Sequence, residues 1–355
     1  MPAARPGFRF AAALFLLALA AACAPRLAPP GPGLGPGLAA VKLTEAPAPR
    51  LTESRFITDD GLILPVRAWL PADLGGGESG GPAAVILALH GFNDYSKAFE
   101  AAGAFWARQG LATYAFDQRG FGKSPHTGLW AGTQAMTADL RAAARLLRAK
   151  YPGVPLYLLG DSMGGAVILA ASREPETLPT EGAILVAPAV WARSTMPVLY
   201  RAALWLGAHT IPWAKVSGRG LKIQPSDNIE MLRALGRDPL VIKGTRIDAI
   251  HGLVGLMDVA LAAAPGLELP ALLLYGEKDE IVPEDPTLAL WQSLPEAARA
   301  RQRRALYAEG FHMLLRDLSA ETVWRDIAAW IADPAAPLPS GAEERALARL
   351  NGGES

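Results

Sequence analysis

The chain has 355 residues and is 51% hydrophobic, enough apolar material to bury a large core in one large domain or two smaller ones. Basic and acidic residues balance at 34 each, so no bulk field draws the protein to nucleic acid, and none is expected as a partner. The single cysteine, Cys23, excludes an internal disulfide.

Arg5 and Arg9 flank the start of an unbroken apolar run over residues 10–22. The run is shorter than the roughly 20 residues a membrane-spanning helix needs and suits a secretory h-region. It ends in Leu19-Ala20-Ala21-Ala22-Cys23. Small residues leading into a cysteine resemble the bacterial lipoprotein signal, in which the thiol is acylated and the chain is cut before it. Residues 1–22 are therefore expected to be a signal peptide and Cys23 the lipidated residue, the alternative being an ordinary signal peptide with a chance cysteine. Ala24 stands where inner-membrane retention is associated with aspartate. That points to an exported, membrane-anchored lipoprotein on the periplasmic side of a bacterial outer membrane. Residues 23–50, with "APPGPGLGPGLAA", are Pro/Gly-rich and read as a tether.

The body, residues 51–333, alternates regularly. "SRFITDDGLILPVRAWLP" predicts a hairpin turning at Asp60-Gly61. Strands follow at "AAVILALH", "LATYAFD", "PLYLLGD" and "GAILVAP", separated by predicted helices over 98–109, 133–150 and 164–172. After an interruption come the strand "ALLLYG", a helix over 287–292, the strand "RALYAE" and a helix near 321–332. Short apolar strands without polar alternation, separated by helices, predict an α/β fold with a mostly parallel central sheet covered on both faces. The polar tail 334–355 has Ser340 as a candidate helix cap and no assigned function.

"PLYLLGDSMGGAVILA" breaks a strand at Gly160-x-Ser162-x-Gly164 and resumes as a helix. That pattern fits a nucleophile elbow, a tight turn that lifts one side chain above the sheet edge. The alternative is a tight strand–helix turn with an incidental serine. A serine alkoxide is inaccessible near neutral pH without a base, and the base needs an orienting carboxylate, in the chain order Ser, acid, His. His312, in "AEGFHMLL", is late enough to be that base. Asp279 in "LLLYGEKDEIVP" is the preferred acid, with Glu277, Glu280 and Asp285 as rivals. The oxyanion donors are expected to be the backbone N–H of Met163 and of Phe92, the latter in "ALHGFNDYS". His90 reads as a loop-holding residue in preference to a catalytic one, and His126, His209 and His251 as surface or cap histidines. No histidine pair has metal-site spacing and no phosphate loop is present, so no metal or cofactor is expected.

Together "LHGFNDYS", "FDQRGFGKS", "GDSMGG", "DPL", "GEKDEIVP" and "EGFHMLL" resemble the monoacylglycerol lipase and lysophospholipase branch of the α/β-hydrolases, over about 54–333. The resemblance implies the α/β-hydrolase fold, with Ser162 as nucleophile, Asp279 as acid, His312 as base, and Phe92 and Met163 as oxyanion donors. It departs from the family at the elbow, where histidine usually stands in the place of Asp161. Register excludes Asp161 as a nucleophile, since Leu159 and Met163 flank it where glycines are required. Asp117 and Arg119 read as scaffold.

Residues 190–266 are expected to form an inserted helical cap. Trp191, Met196, Tyr200, Trp205, Trp213, Met231 and Met257 lie within it, and Trp191, Tyr200, Trp205 and Trp213 are candidate substrate-binding residues on an adaptable apolar wall. Packing of the cap's own core is the alternative for each of them singly. The expected activity is ester hydrolysis through an acyl-enzyme, releasing fatty acid from monoacylglycerols or lysophospholipids, with an acyl lipid or other small ester as substrate. Two rivals remain. One is an aminopeptidase-type enzyme, with Asp227, Glu230, Asp238 or Asp248 binding the substrate ammonium; the other is a non-catalytic surface lipoprotein. Oligomeric state is not legible in the sequence.

Overall fold

Gly61, at φ 80°, makes the first turn and joins β2 (Arg55–Ile57) to β3 (Ile63–Trp69) in an antiparallel hairpin, with β1 (Arg50–Leu51) outside it. The computed structural model describes residues 24–31, 48–72, 81–174, 177–218, 220 and 222–352. The expected signal peptide, Cys23 and residues 32–47 lie outside the described residues. In chain order the further strands are β4 (Ala84–Leu89), β5 (Leu111–Phe116), β6 (Leu156–Asp161), β7 (Gly182–Val186), the short pair β8 (Lys215–Val216) and β9 (Thr245–Arg246), β10 (Ala271–Gly276) and β11 (Gln302–Tyr307).

The main sheet runs β1-β2-β3-β5-β4-β6-β7-β10-β11, parallel from β5 to β11. Alternate residues of β4 feed two cores: Val85, Leu87 and Leu89 pack on one face, Ile86 and Ala88 on the other. Burial on both faces is why these strands are apolar throughout. One face carries α2 (Thr133–Lys150), α3 (Met163–Ala171) and α6 (Ile247–Ala263), the other α1 (Glu100–Arg108) and α8 (Ala320–Ala332). The chain leaves β4 for β5 on one side and returns to β6 on the other. Between the carboxyl ends of β4 and β6 lies the switch point where α/β sheets open a crevice.

The interruption between β7 and β10 is not uniform. Helix α4 (Val198–Thr210) buries only Ala208, and α5 (Ile229–Arg237) buries no residue. By contrast α6 packs on α3 through Leu253, Leu256, Met257 and Ala260, as part of the core. Residues 247–266 are long and apolar enough to cross a membrane by composition, and that apolarity is explained by half of the segment being buried.

Residues 24–31 of the Pro/Gly-rich segment lie on the body. Ala28 N–H donates to Trp130 O (2.7 Å), Arg26 N–H to Asp248 Oδ2 (3.3 Å) and Gly31 N–H to Asp60 Oδ2 (2.8 Å). At the other end α9 (Ala342–Gly352) covers the edge strand β11, burying Ala342 and Ala346 and pairing Glu343 with Arg303. Ser340 Oγ accepts from Ala342 N–H (3.1 Å) at the start of this helix.

Candidate active site

β6 ends at Asp161 and α3 starts at Met163, so Ser162 alone makes the turn, at φ 51° and ψ −109°. A non-glycine residue at positive φ is strained and persists only where its surroundings fix it. Here Ser162 N–H donates to Val186 O (2.9 Å), while its carbonyl accepts from Ala166 N–H (3.2 Å) and Ala189 N–H (2.9 Å). The flanking glycines answer to close approach. A Cβ on Gly160 would lie 2.3 Å from Gly165 N, and one on Gly164 would lie 2.1 Å from Leu89 O.

The loop after β11 brings His312 to this turn, with Nε2 3.0 Å from Ser162 Oγ. Its Nδ1 lies 2.8 Å from Asp279 Oδ2, in the loop after β10. Asp279 is fixed in turn, since Oδ1 accepts from Ile281 N–H (2.8 Å) and Val282 N–H (3.0 Å). A carboxylate can only accept, so Nδ1 carries the imidazole proton and Nε2 is left to accept from the serine hydroxyl. Of the rival acids, Glu280 accepts from Gln224 N–H and Asp285 lies in the first turn of α7 (Glu284–Ser293). Among the described residues, Asp279 is the acid bonded to His312. Burial favours the neutral ring, but the Asp279 carboxylate, reinforced by Asp161, outweighs it and holds His312 above the ordinary histidine value.

The loop after β4 passes directly beside the serine: a Cβ on Gly91 would sit 3.4 Å from Ser162 Cβ. Phe92 follows in that loop, and Met163 is the first residue of α3, where the N–H has no intrahelical acceptor. Neither N–H donates to another group among the described residues. His90 holds the loop in place. Its Nε2 accepts from Gln118 N–H (2.9 Å), so Nδ1 bears the proton and donates to Gly91 O (2.9 Å). Burial depresses its pKa, which keeps the ring neutral. Asp117 accepts from Ser96 and Lys123 N–H groups, and the Arg119 guanidinium forks between buried Asp60 and Asp139.

Ser162 and His312 open into a cavity of about 280 Å³. Ala189, Leu253, Met257, Ile281, Val282 and Met313 form its apolar lining, and Asn93, Asp94, Asp161 and Arg316 its polar lining. Asp94 and Arg316 pair at 2.6 Å. An imidazole bonded both to a hydroxyl and to a buried carboxylate can take the hydroxyl proton and hold the resulting charge.

Residues 80–319 match the family model described as serine aminopeptidase, S33 (Hydrolase_4). The chain belongs to this hydrolase family. Among its relatives, the hydrolase is 27% identical to the monoglyceride lipase of Rattus norvegicus over 307 residues, covering 82% of this chain and 96% of the relative. It is 26% identical to the monoacylglycerol lipase of Mycolicibacterium smegmatis over 256 residues, covering 70% and 88%. In fold it is similar to a soluble variant of monoglyceride lipase from Saccharomyces cerevisiae, at TM-score 0.66 and 20% identity, covering 82% of this chain and 99% of that one. It is likewise similar to the monoacylglycerol lipase of Paleococcus ferrophilus, at TM-score 0.60 and 20% identity, covering 76% and 98%. The hydrolase therefore has the expected α/β-hydrolase fold and falls in a branch like the monoacylglycerol lipases.

The cap aromatics are not in this cavity. Trp191 leans on the core with its ring 6.4 Å from that of Tyr200, Trp205 stacks on His209 at 4.5 Å, and Trp213 is half exposed. The apolar wall comes instead from α6 and the loops after β7, β10 and β11, because α4 hardly packs on the body while α6 lies under the crevice. Asp227, Glu230, Asp238 and Asp248 are also outside the cavity lining. Asp238 accepts from Tyr95 Oη and Asp248 pairs with Arg246. Sequence reasoning missed Asp94 and Arg316. Their signal was spacing: Arg316 stands four residues after His312, and Asp94 is three residues past Gly91. Among the described residues no cluster of three or more His, Cys, Asp or Glu side chains is arranged to hold a metal ion.

Proposed function

We propose that the protein is a serine carboxylic-ester hydrolase that releases fatty acid from monoacylglycerols or lysophospholipids. One observation carries the reading: the His312 ring lies 3.0 Å from Ser162 Oγ and 2.8 Å from Asp279. His312 takes the Ser162 proton as Oγ bonds to the ester carbonyl carbon, and the Phe92 and Met163 N–H groups receive the oxyanion. The tetrahedral species collapses, the C–O bond to the alcohol breaks, and His312 gives its proton to the leaving oxygen. Water then attacks the acyl-enzyme with His312 again as base, which frees the fatty acid and restores Ser162. The lipid relatives and the apolar lining beside Ser162 support an acyl substrate.

Membrane attachment through acylated Cys23 belongs to the same proposal. Its support is the sequence around Cys23 and the exposed face of α4, where Val198, Leu199, Tyr200, Trp205 and Leu206 are all more than half exposed. Arg201 is the single Lys, Arg, Asp or Glu in that helix. A panel of acyl lipids and aminoacyl amides, given to wild type and Ser162→Ala, tests the function. Fatty acid released by wild type and not by Ser162→Ala is the expected result; equal release by both, or turnover of amides alone, overturns it.

A further inference from the structure

Buried polar groups in folded proteins are nearly always hydrogen-bonded, so an exception calls for an explanation. The buried aspartates among the described residues are Asp60, Asp94, Asp117, Asp139, Asp161, Asp248, Asp279, Asp317 and Asp326. All but one accept hydrogen bonds from protein groups. The exception is Asp161, whose carboxylate accepts no hydrogen bond from the described residues and is influenced first by its burial and then by the charges of Arg316 and His312. It is 6% exposed, and the proton path through Ser162, His312 and Asp279 does not use it. Its side chain lines the catalytic cavity, with Oδ2 3.6 Å from where a Cβ on Gly91 would lie. On the same cavity Arg316 is already engaged by Asp94. The three groups together carry one excess negative charge when Asp161 is ionised.

We infer that the Asp161 carboxylate is the acceptor for a hydroxyl group on the alcohol portion of the ester, so that the hydrolase selects acyl esters of neutral polyols over esters bearing an anionic phosphate. This rests on the ester-hydrolase reading and deepens it. Asp161 directly precedes the nucleophile. With an acyl carbonyl at Ser162, a hydroxyl one or two carbons from the leaving oxygen falls within reach of the cavity wall that Asp161 lines. The carboxylate rewards an O–H donor there and repels a phosphate, while the charge of Arg316 is balanced by its partner Asp94.

Three substrates with one acyl chain, in neutral detergent micelles, test the inference: the 1-acylglycerol, the ethyl ester, and the 1-acylglycerol 3-phosphate. In Asp161→Asn the ratio of kcat/KM for acylglycerol over ethyl ester falls about tenfold, the factor carried by one hydrogen bond to a charged group, while the ratio for phosphate over ethyl ester rises. A purely structural role moves both ratios alike. Wild type supplies a second readout that does not depend on the variant folding. Burial pushes the Asp161 carboxyl up to about 6, against the pull of Arg316 and His312 and with Asp94 and Asp279 adding to the rise. The acylglycerol-to-ethyl ratio therefore falls as pH drops through that value, whereas protonation of His312 slows all three substrates and cancels. Ratios indifferent to both the substitution and the pH, or a wild type that prefers the phosphate, overturn the inference and leave the ester-hydrolase reading standing. Absence of fatty acid release from all three substrates, or equal release by Ser162→Ala, overturns that reading instead.

Discussion

Gly164→Ala places a methyl group where a Cβ would stand 2.1 Å from Leu89 O and 2.6 Å from Leu89 C. Both are main-chain atoms of β4, and no side chain can swing aside to relieve them. The substitution gains about 1 kcal/mol of helix propensity in α3. Against that stands overpacking, which ordinarily costs about 1–3 kcal/mol and more where backbone must move. The net expectation is destabilisation by about 2 kcal/mol, or a Tm lower by about 3–4 °C in a domain of this size. The strand end that must yield leads straight into Gly91 and Phe92, and a shift of about 1 Å at a catalytic constellation costs about a hundredfold in rate. Gly255 in α6 is the matched control: its added Cβ meets nothing within 4 Å. There the same exchange stabilises by about 0.5–1 kcal/mol and leaves turnover intact. Thermal unfolding followed by circular dichroism, with kcat/KM on a soluble ester, reads both effects. Equal Tm shifts of the same sign at the two glycines would refute the argument that α3 and β4 are in backbone contact.

The pH profile of kcat/KM on a simple ester rises with pH, because the reaction needs neutral His312, and its midpoint lies above the ordinary histidine value of 6.5; a midpoint at or below 6.5 contradicts the Asp279 and Asp161 contributions. Arg119→Met leaves Asp60 and Asp139 buried without their shared cation, and urea titration should show a loss of about 3–5 kcal/mol. A loss under about 1 kcal/mol would mean that other groups neutralise the pair. Met257→Trp narrows the apolar lining and lowers kcat/KM for long acyl chains more than for short ones. Uniform loss across chain lengths would place the acyl chain elsewhere.

The sheet was readable from sequence because its strands are buried on both faces. Thr133–Lys150 and Ala271–Gly276 fall at the expected bounds, and the expected hairpin turns at Gly61. The meeting of Ser162, Asp279 and His312 was readable too, since their order and their places after strands put all three at one sheet edge. The start of α1 was less so: Ser96–Phe99 forms a 3-10 turn where a continuous helix over 98–109 was expected. Apolar character could not say which way the insertion's aromatics face. That depends on how little α4 packs, which is a tertiary fact, and so the cavity wall fell to Leu253 and Met257 on a helix whose pattern reads simply as core. The Asp94–Arg316 pair joins residues 222 positions apart, and Asp161 is distinguished only by the absence of partners, a property visible only in three dimensions. Residues 24–31 show the same limit, since a Pro/Gly composition says nothing of Trp130 and Asp248 waiting to bind the backbone.

The most direct test is the site of covalent capture by a fluorophosphonate, read by mass spectrometry of the proteolysed adduct. A single adduct on the peptide holding Ser162, absent in Ser162→Ala and formed far more slowly in His312→Gln, is the result expected of a serine activated by that imidazole. An adduct on another residue, or labelling of Ser162 at an undiminished rate without His312, would contradict it.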